Sequence, residues 1–134
     1  MGVEESNQIT VVVKALETLT ERAVKEIVLD CTANLLSPSS EGGTPVDTGW
    51  ARSNWIPRIG GTYPRPVGSR QEVDHAAQEA GIASVAVGYH LEDGYVTITN
   101  NVPYIVPLNA GSSAQAPAGY VQAAILRGVQ GVRL

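Results

Sequence analysis

Histidine and cysteine are the residues that most often bind zinc or react as nucleophiles, and this chain has three of them. They are Cys31, His75 and His90, and no HxxxH or CxxC spacing connects them. Cys31 falls among regularly spaced apolar residues, so we expect a small buried side chain without a disulfide. The two histidines are expected to be exposed or hydrogen-bonded. The sequence therefore predicts no metal site and no cofactor.

The triplet Asp47-Thr48-Gly49 is the active-site sequence of aspartic proteases, in which two such aspartates share a proton. Residues 124–128 also resemble the hydrophobic segment, ending in glycine, that lies downstream in the retroviral type. The surroundings favour another interpretation, because the triplet follows the flexible sequence Gly42-Gly43-Thr44-Pro45 and precedes the bulky Trp50. Asp47 or Thr48 is well placed to cap a short helix that runs to about Trp55. We expect no catalytic residue, and the protease is the less favoured alternative.

The elements that must position these residues begin with an amphipathic helix predicted over 6–36. Its apolar residues recur at spacings of three and four, at Ile9, Val12, Val13, Leu16, Leu19, Ala23, Ile27, Cys31 and Leu35. The proline- and glycine-containing segment 37–43 ends the pattern. A helix of about 30 residues is about 45 Å long, which exceeds what one small domain requires. We therefore expect a neighbouring subunit to cover part of it.

The middle of the chain predicts a loop and a second helix. Residues 56–69 are rich in proline and glycine and carry Arg58 and Arg65, so they are expected to form a basic loop. Ser69 and Glu72 have the spacing of a capping box, which predicts a helix over about 70–80 that Gly81 ends.

The last third predicts a hairpin and a closing helix. Residues 82–91 alternate, with Val85, Val87, Tyr89 and Leu91 on one face, and 95–100 return as a second strand after the turn at 92–94. Pro117 is expected to start a helix that Gly128 ends. We therefore predict an α+β fold in one domain, 1–134, with a long N-terminal helix, a small antiparallel sheet with a hairpin, and a C-terminal helix.

The composition argues against several classes of protein. Residues 1–41 hold seven acidic and three basic residues, the whole chain has a net charge of −4, and no basic patch is visible, so tight phosphate binding is not expected. No apolar run approaches the roughly 20 residues that span a bilayer. Residues 1–9 lack the basic region of a signal peptide. Together with the single cysteine, these features predict an intracellular protein of a reducing compartment.

Three motifs in chain order resemble the tail-completion proteins of tailed phages, a neck-protein family related to minor tail protein Z of the lambdoid siphophages. The first is Pro45-Val46-Asp47-Thr48-Gly49 followed by Arg52-Ser53-Asn54-Trp55. Asn100-Asn101-Val102-Pro103-Tyr104 is the second. The third joins Leu108-Asn109-Ala110-Gly111-Ser112-Ser113 to Gln115-Ala116-Pro117-Ala118-Gly119-Tyr120-Val121. The resemblance covers nearly the whole chain.

The resemblance implies a structural protein of the virion neck, assembled in the host cytoplasm, and no enzyme. Such subunits form a homo-oligomeric ring, with a hexamer favoured, between the head connector or stopper and the tail terminator or tail tube. Genomic DNA passes through the lumen without specific binding, and no membrane is involved. A tail terminator that caps the tail tube is the nearest alternative, and a binding module for a host factor is a further one. The family-motif and interface residues implied are Asp47, Thr48, Gly49, Arg52, Trp55, Asn101, Pro103, Tyr104, Gly111 and Pro117.

Two further expectations concern side chains of the first motif. Arg52 lies about one turn after Asp47, so it is expected to form a local ion pair, to contact a neighbouring subunit, or to be an ordinary surface arginine worth less than about 1 kcal/mol. Trp50 and Trp55 are both costly to expose, so one is expected to fill the core while the other anchors an interface.

Overall fold

The computed structural model describes residues 8–13, 20–46 and 48–132. Three strands and five α-helices lie in these ranges. In chain order they are β1 (Ile9–Val13), α1 (Glu21–Leu36), α2 (Trp50–Ser53), β2 (Ile56–Ile59), α3 (Ala76–Gly88), β3 (Val96–Asn100), α4 (Ile105–Pro107) and α5 (Tyr120–Gln130). Single 3₁₀ turns at Ser39–Glu41 and Leu91–Asp93 and a wide π-type turn at Leu108–Ser112 connect them. The predicted α+β class is confirmed.

The three strands form one antiparallel sheet in the order β1-β3-β2. Val11 of β1 and Pro57 of β2 both pair with Ile98, so β3 is the central strand. All five residues of β3 are buried. Since successive side chains of a strand point to opposite faces, Val96 and Ile98 enter the hydrophobic core while Thr97 donates to the carbonyl of Gly61 at 2.7 Å. The last strand in the sequence thus holds the sheet together.

Helices α1 and α5 pack against each other and form the largest interhelical contact. The contact is close at Gly128, where an added Cβ would lie 2.6 Å from the Sγ of Cys31. Cys31 is fully buried, as predicted. The core around it contains Val24, Val28, Leu35, Trp55, Val85, Tyr89, Ile105, Tyr120 and Ala124.

The predicted N-terminal helix exists, but it is shorter than expected. Thr20 caps α1, since its hydroxyl accepts a hydrogen bond from the N–H of Ala23 at 3.1 Å. Residues 9–13, which the prediction included in the helix, form β1 instead, because the β-branched run ITVVV pairs with β3. The 16 residues of α1 span about 24 Å. The helix is therefore too short to extend beyond the domain in the way predicted, and its length no longer indicates an oligomer.

The predicted hairpin is wrong, because residues 82–88 belong to helix α3. Val85 and Tyr89, four residues apart, are both fully buried, whereas Val87 between them is 83% exposed. This is the burial pattern of a helical face rather than of a strand. Strand β3 does form where the second arm of the hairpin was predicted, but its partners are β1 and β2.

Helix α3 also replaces the helix predicted over 70–80. It begins at Ala76, and Gly81 lies inside it, where its Cα approaches the backbone of Pro57 too closely for a larger residue. Ser69 and Glu72 do bond each other through the Ser69 hydroxyl and the Glu72 N–H, but they form an isolated turn before the helix.

Two other boundaries differ from the prediction. Residues 56–59 of the expected loop form β2. The closing helix α5 begins at Tyr120 rather than Pro117 and continues through Gly128 to Gln130. No helix in the described ranges is long and apolar enough to cross a bilayer.

Candidate functional site

The described part of the Asp-Thr-Gly triplet leads directly into α2. Asp47 lies outside the described residues. The Thr48 hydroxyl accepts a hydrogen bond from the N–H of Trp50 at 3.3 Å, and Gly49 stands at the N-cap with φ of 89°, a conformation that favours glycine. The N-cap of α2 is thus Gly49 rather than the predicted Asp47 or Thr48, and the Thr48 hydroxyl forms a turn that leads into the helix. An α+β fold with a helix after the triplet differs from the nearly all-β fold of aspartic proteases.

Arg52 and Trp55 are both directed at the loop that follows α1. Arg52 Nη2 donates to the carbonyl oxygens of Ser37 at 3.2 Å and Thr44 at 3.0 Å. Trp55 is fully buried, and its indole N–H donates to the Thr44 hydroxyl at 2.8 Å. Trp55 therefore fills the core, as expected for one of the two tryptophans. The proposed pairing of Arg52 with Asp47 involves a residue outside the described ranges.

Three buried amides connect α2 to the rest of the molecule. Asn100, at the end of β3, donates to the carbonyl of Ala51 at 2.8 Å. Asn54 donates to the carbonyl of Val67 at 3.0 Å and accepts from its N–H at 2.8 Å. Gln78 of α3 donates to the carbonyls of Arg52 and Trp55. The first two belong to the motifs, whereas Gln78 was not predicted, because one glutamine in a helix gives no signal in the sequence.

Asn101, Pro103 and Tyr104 have different surroundings although they are neighbours in the sequence. The Asn101 amide donates to the carbonyl of Tyr63 at 2.6 Å and accepts from Gln8 at 2.7 Å, so it anchors the 60–66 loop. Pro103 is exposed. The ring of Tyr104 meets Trp50 edge to face, with 5.8 Å between centroids.

Tyr104 also forms one wall of a cleft of about 260 Å³. Its other lining residues include Pro45, Arg70, Leu108, Ser113 and Gln115, so segments of all three motifs meet there. Arg70 lies over the face of Tyr104, with its Cζ 4.9 Å from the ring centroid. Arg70 was not predicted, since it was assigned to the start of a helix.

Two predicted residues shape the segment beside the cleft without lining it. Gly111 has φ of 101°, and an added Cβ would stand 3.3 Å from the Cβ of Ala118, so glycine is favoured there on both grounds. Pro117 is exposed three residues before α5. Asn109, which was not among the predicted residues, caps that helix, because its side-chain oxygen accepts from the N–H of Val121 at 3.0 Å.

The titratable groups with shifted pKa values lie in the core. Burial raises the pKa of Cys31 to about 11, and the charge of Asp30 adds to the rise. Burial likewise raises the pKa of Tyr120 to about 12, while the nearby Thr44 hydroxyl offsets part of the change. Both groups are therefore neutral at physiological pH, and neither lines the Tyr104 cleft.

The described ranges bring together no group of three His, Cys, Asp or Glu side chains able to hold a metal ion. Both histidines are exposed, as expected. Comparison of the chain with protein-family models, with curated proteins and with solved structures gave no match.

Proposed function

We propose that this chain is a non-enzymatic structural subunit of a tailed-phage neck. It completes the tail, or joins the head connector or stopper to the tail terminator or tail tube. It works there as a homo-oligomeric ring around the DNA channel, with six copies favoured. The observation that carries the proposal is the convergence of the three family motifs on one surface, the Tyr104 cleft.

The motif side chains are used to fix backbone segments. Asn54, Asn100 and Arg52 each give their donors to main-chain carbonyls. Hydrogen bonds from buried side chains to the main chain in this way favour one arrangement of the chain. This use fits a protein whose task is to present a rigid surface to neighbouring subunits.

The chemistry of the cleft supports binding rather than catalysis. Among the described residues that line it, Arg70 is the one with a charged side chain, and none is a carboxylate, histidine or thiol. Histidine and carboxylate side chains are the usual general acids and bases, so the lining lacks the groups that such catalysis most often uses. A guanidinium beside an aromatic ring and an apolar floor is a common combination at protein interfaces.

The net negative charge of the chain fits a DNA conduit. The chain carries a net charge of −4. Some of its cations are already engaged, since Arg52 binds carbonyl oxygens and Arg22 pairs with Glu26 at 3.0 Å. A wall that bound phosphate tightly would slow a moving genome, whereas mild repulsion lets it slide.

The test of this proposal is genetic. The gene is disrupted in the phage that encodes it, and the particles are counted by electron microscopy. We expect filled heads and separate tails of normal length, and complementation with the intact gene should restore joined particles. Infectious virions formed without the gene would refute the proposal. Tails of uncontrolled length would instead indicate the terminator alternative, since a cap on the tube limits its growth.

The protease alternative has a separate test. Purified wild-type protein and the variant Asp47→Asn are incubated with casein at several pH values. Our proposal expects no cleavage by either protein. Cleavage by the wild type that the substitution abolishes would support the protease and remove the basis for a purely structural role.

A further inference from the structure

An exposed turn follows the C-terminal end of α3, at Leu91–Asp93, and we name these three residues the knob. All three are exposed, and Val87 one turn earlier is 83% exposed. The turn is held firmly, because Asp93 accepts from the N–H of His90 at 2.8 Å and Glu21 accepts from the N–H of Leu91 at 3.0 Å. The knob is therefore a hydrogen-bonded, exposed turn that offers an aliphatic side chain and a carboxylate.

Glu92 is the carboxylate of the knob that is left for another molecule. Asp93 is engaged in the turn, whereas no hydrogen bond or ion pair of Glu92 occurs within 8–13, 20–46 and 48–132. A fixed, solvated carboxylate next to exposed apolar residues is suited to a partner that supplies a cation above an apolar surface.

The Tyr104 cleft has these complementary properties. Its floor includes the side chains of Leu108 and Pro45, both buried. Arg70 stands at its edge against the Tyr104 ring, and it has no carboxylate partner in the part of the chain that the structure describes. A guanidinium stacked on an aromatic ring keeps its N–H donors available for a carboxylate.

We propose that the knob of one copy of this chain inserts into the Tyr104 cleft of the next copy. Leu91 packs on Leu108 and Pro45, and the Glu92 carboxylate binds the Arg70 guanidinium. This inference rests on the proposed ring and names the contact between its subunits. The ion pair mainly fixes register and partner choice, while the apolar contact provides affinity.

The two halves of this contact belong to opposite ends of α3. Its 13 residues span about 20 Å. The Arg70 turn precedes its N-terminal end, and the knob follows its C-terminal end. A contact between two different surfaces of identical subunits is heterologous, so it continues from copy to copy and closes only as a ring. Two copies alone would leave one knob and one cleft free.

The experiment is a charge swap in the full-length protein, measured by sedimentation velocity over a range of concentrations. We expect Arg70→Glu alone and Glu92→Arg alone to weaken association at least tenfold, since each places like charges in the contact. An equimolar mixture of the two variants should associate again, because every contact then joins opposite charges. The double variant should also associate alone.

Matched controls make the same charge changes elsewhere on the surface. Arg65→Glu lies outside the cleft, and Glu79→Lys lies on α3 away from the knob, and both positions are exposed. Both control variants should associate like the wild type. Far-ultraviolet circular dichroism should be the same for all variants. Raising the salt concentration from about 0.05 M to about 0.5 M should weaken the wild-type contact, since the ion pair lies near the surface.

Three results would overturn the inference. They are a wild-type protein that stays monomeric at all concentrations, single variants that associate as well as the wild type, and a mixture that fails to regain association. Association that persists in both single variants would leave the proposed ring in place through another surface. The gene disruption tests the neck function separately, so the two failures can be told apart.

Discussion

The contact between α1 and α5 yields a quantitative prediction at Gly128. A Cβ added there would lie 2.6 Å from the Sγ of Cys31, 2.9 Å from its backbone nitrogen and 3.1 Å from its Cα. All three distances are shorter than ordinary van der Waals contact. A rotation of the Cys31 side chain can relieve only the first of them, so Gly128→Ala must move the two helices apart.

Two opposing effects set the magnitude. Alanine in place of glycine within a helix stabilises it by about 1 kcal/mol. Overpacking a core costs about 1–3 kcal/mol, and a backbone contact that cannot be relieved favours the upper part of that range. We therefore expect Gly128→Ala to lower the free energy of unfolding by about 1–2 kcal/mol. For a chain of this length, this corresponds to a fall in Tm of about 5 °C.

The assay is urea unfolding followed by circular dichroism, with Gly131→Ala as the control. An added Cβ at Gly131 would lie 3.4 Å from the carbonyl oxygen of Arg127 and 3.8 Å from that of Gly128, which are ordinary contacts. This control should be as stable as the wild type to within about 0.5 kcal/mol. In the Gly128→Ala protein, the further change Cys31→Ala should lower the free energy of unfolding by less than it does in the wild type. The reason is that the native contact of the sulfur with α5 is already lost in that variant. A Gly128→Ala protein as stable as the wild type would refute the close contact.

Three further predictions concern buried groups. The pKa of Cys31, raised from 9.0 to about 11, stabilises the fold below pH 9, and about 3 kcal/mol of this should be lost as the pH rises from 9 to 11. Cys31→Ala should flatten this part of a plot of unfolding free energy against pH, and an unchanged slope would contradict it. Trp55→Phe removes the donor to Thr44 and should cost about 1–3 kcal/mol in urea unfolding, whereas Trp50→Phe should cost less because Trp50 is only half-buried. Asn100→Ala leaves the buried carbonyl at Ala51 without that donor and should cost about 2 kcal/mol by the same assay, so a neutral result would exclude this bond.

The α+β class could be predicted from the sequence, but the two edge strands of the sheet, β1 and β2, could not. Ile9, Val12 and Val13 fit a helical spacing, yet their β-branched side chains also suit a strand. What decides is the pairing of β1 with β3, a contact between segments far apart in the chain. The periodicity of one segment does not indicate which distant segment it pairs with, so the helix was predicted too long.

The error in α3 has a similar origin. Val85, Val87 and Tyr89 satisfy an alternating pattern, and Val85 and Tyr89 also satisfy a helical one. The alanines at 76, 77, 80, 83 and 86 favour a helix. Packing of Val85 and Tyr89 into the core, with Val87 left in solvent, selects the helical solution. A short apolar run is ambiguous between the two periods.

Among the family-motif residues expected from the sequence, Tyr104 lines the cleft. The resemblance indicated Gly49, Tyr104 and Gly111 as important, but not how distant segments meet. Arg70 could not be associated with Tyr104, because the turn that carries it follows a loop without regular structure. Polar residues that bond main-chain carbonyls, such as Asn100, look the same in sequence as polar residues that bind ligands.

The central position of β3 has a consequence for synthesis on the ribosome. Neither β1 nor β2 has a strand to pair with until residues 96–100 have left the exit tunnel, and α1 still lacks its partner α5 at that point. Contacts between such distant segments carry a high loop-closure cost and slow folding. Helix α1 therefore exposes the apolar side that α5 covers until residues 120–130 have also left the tunnel.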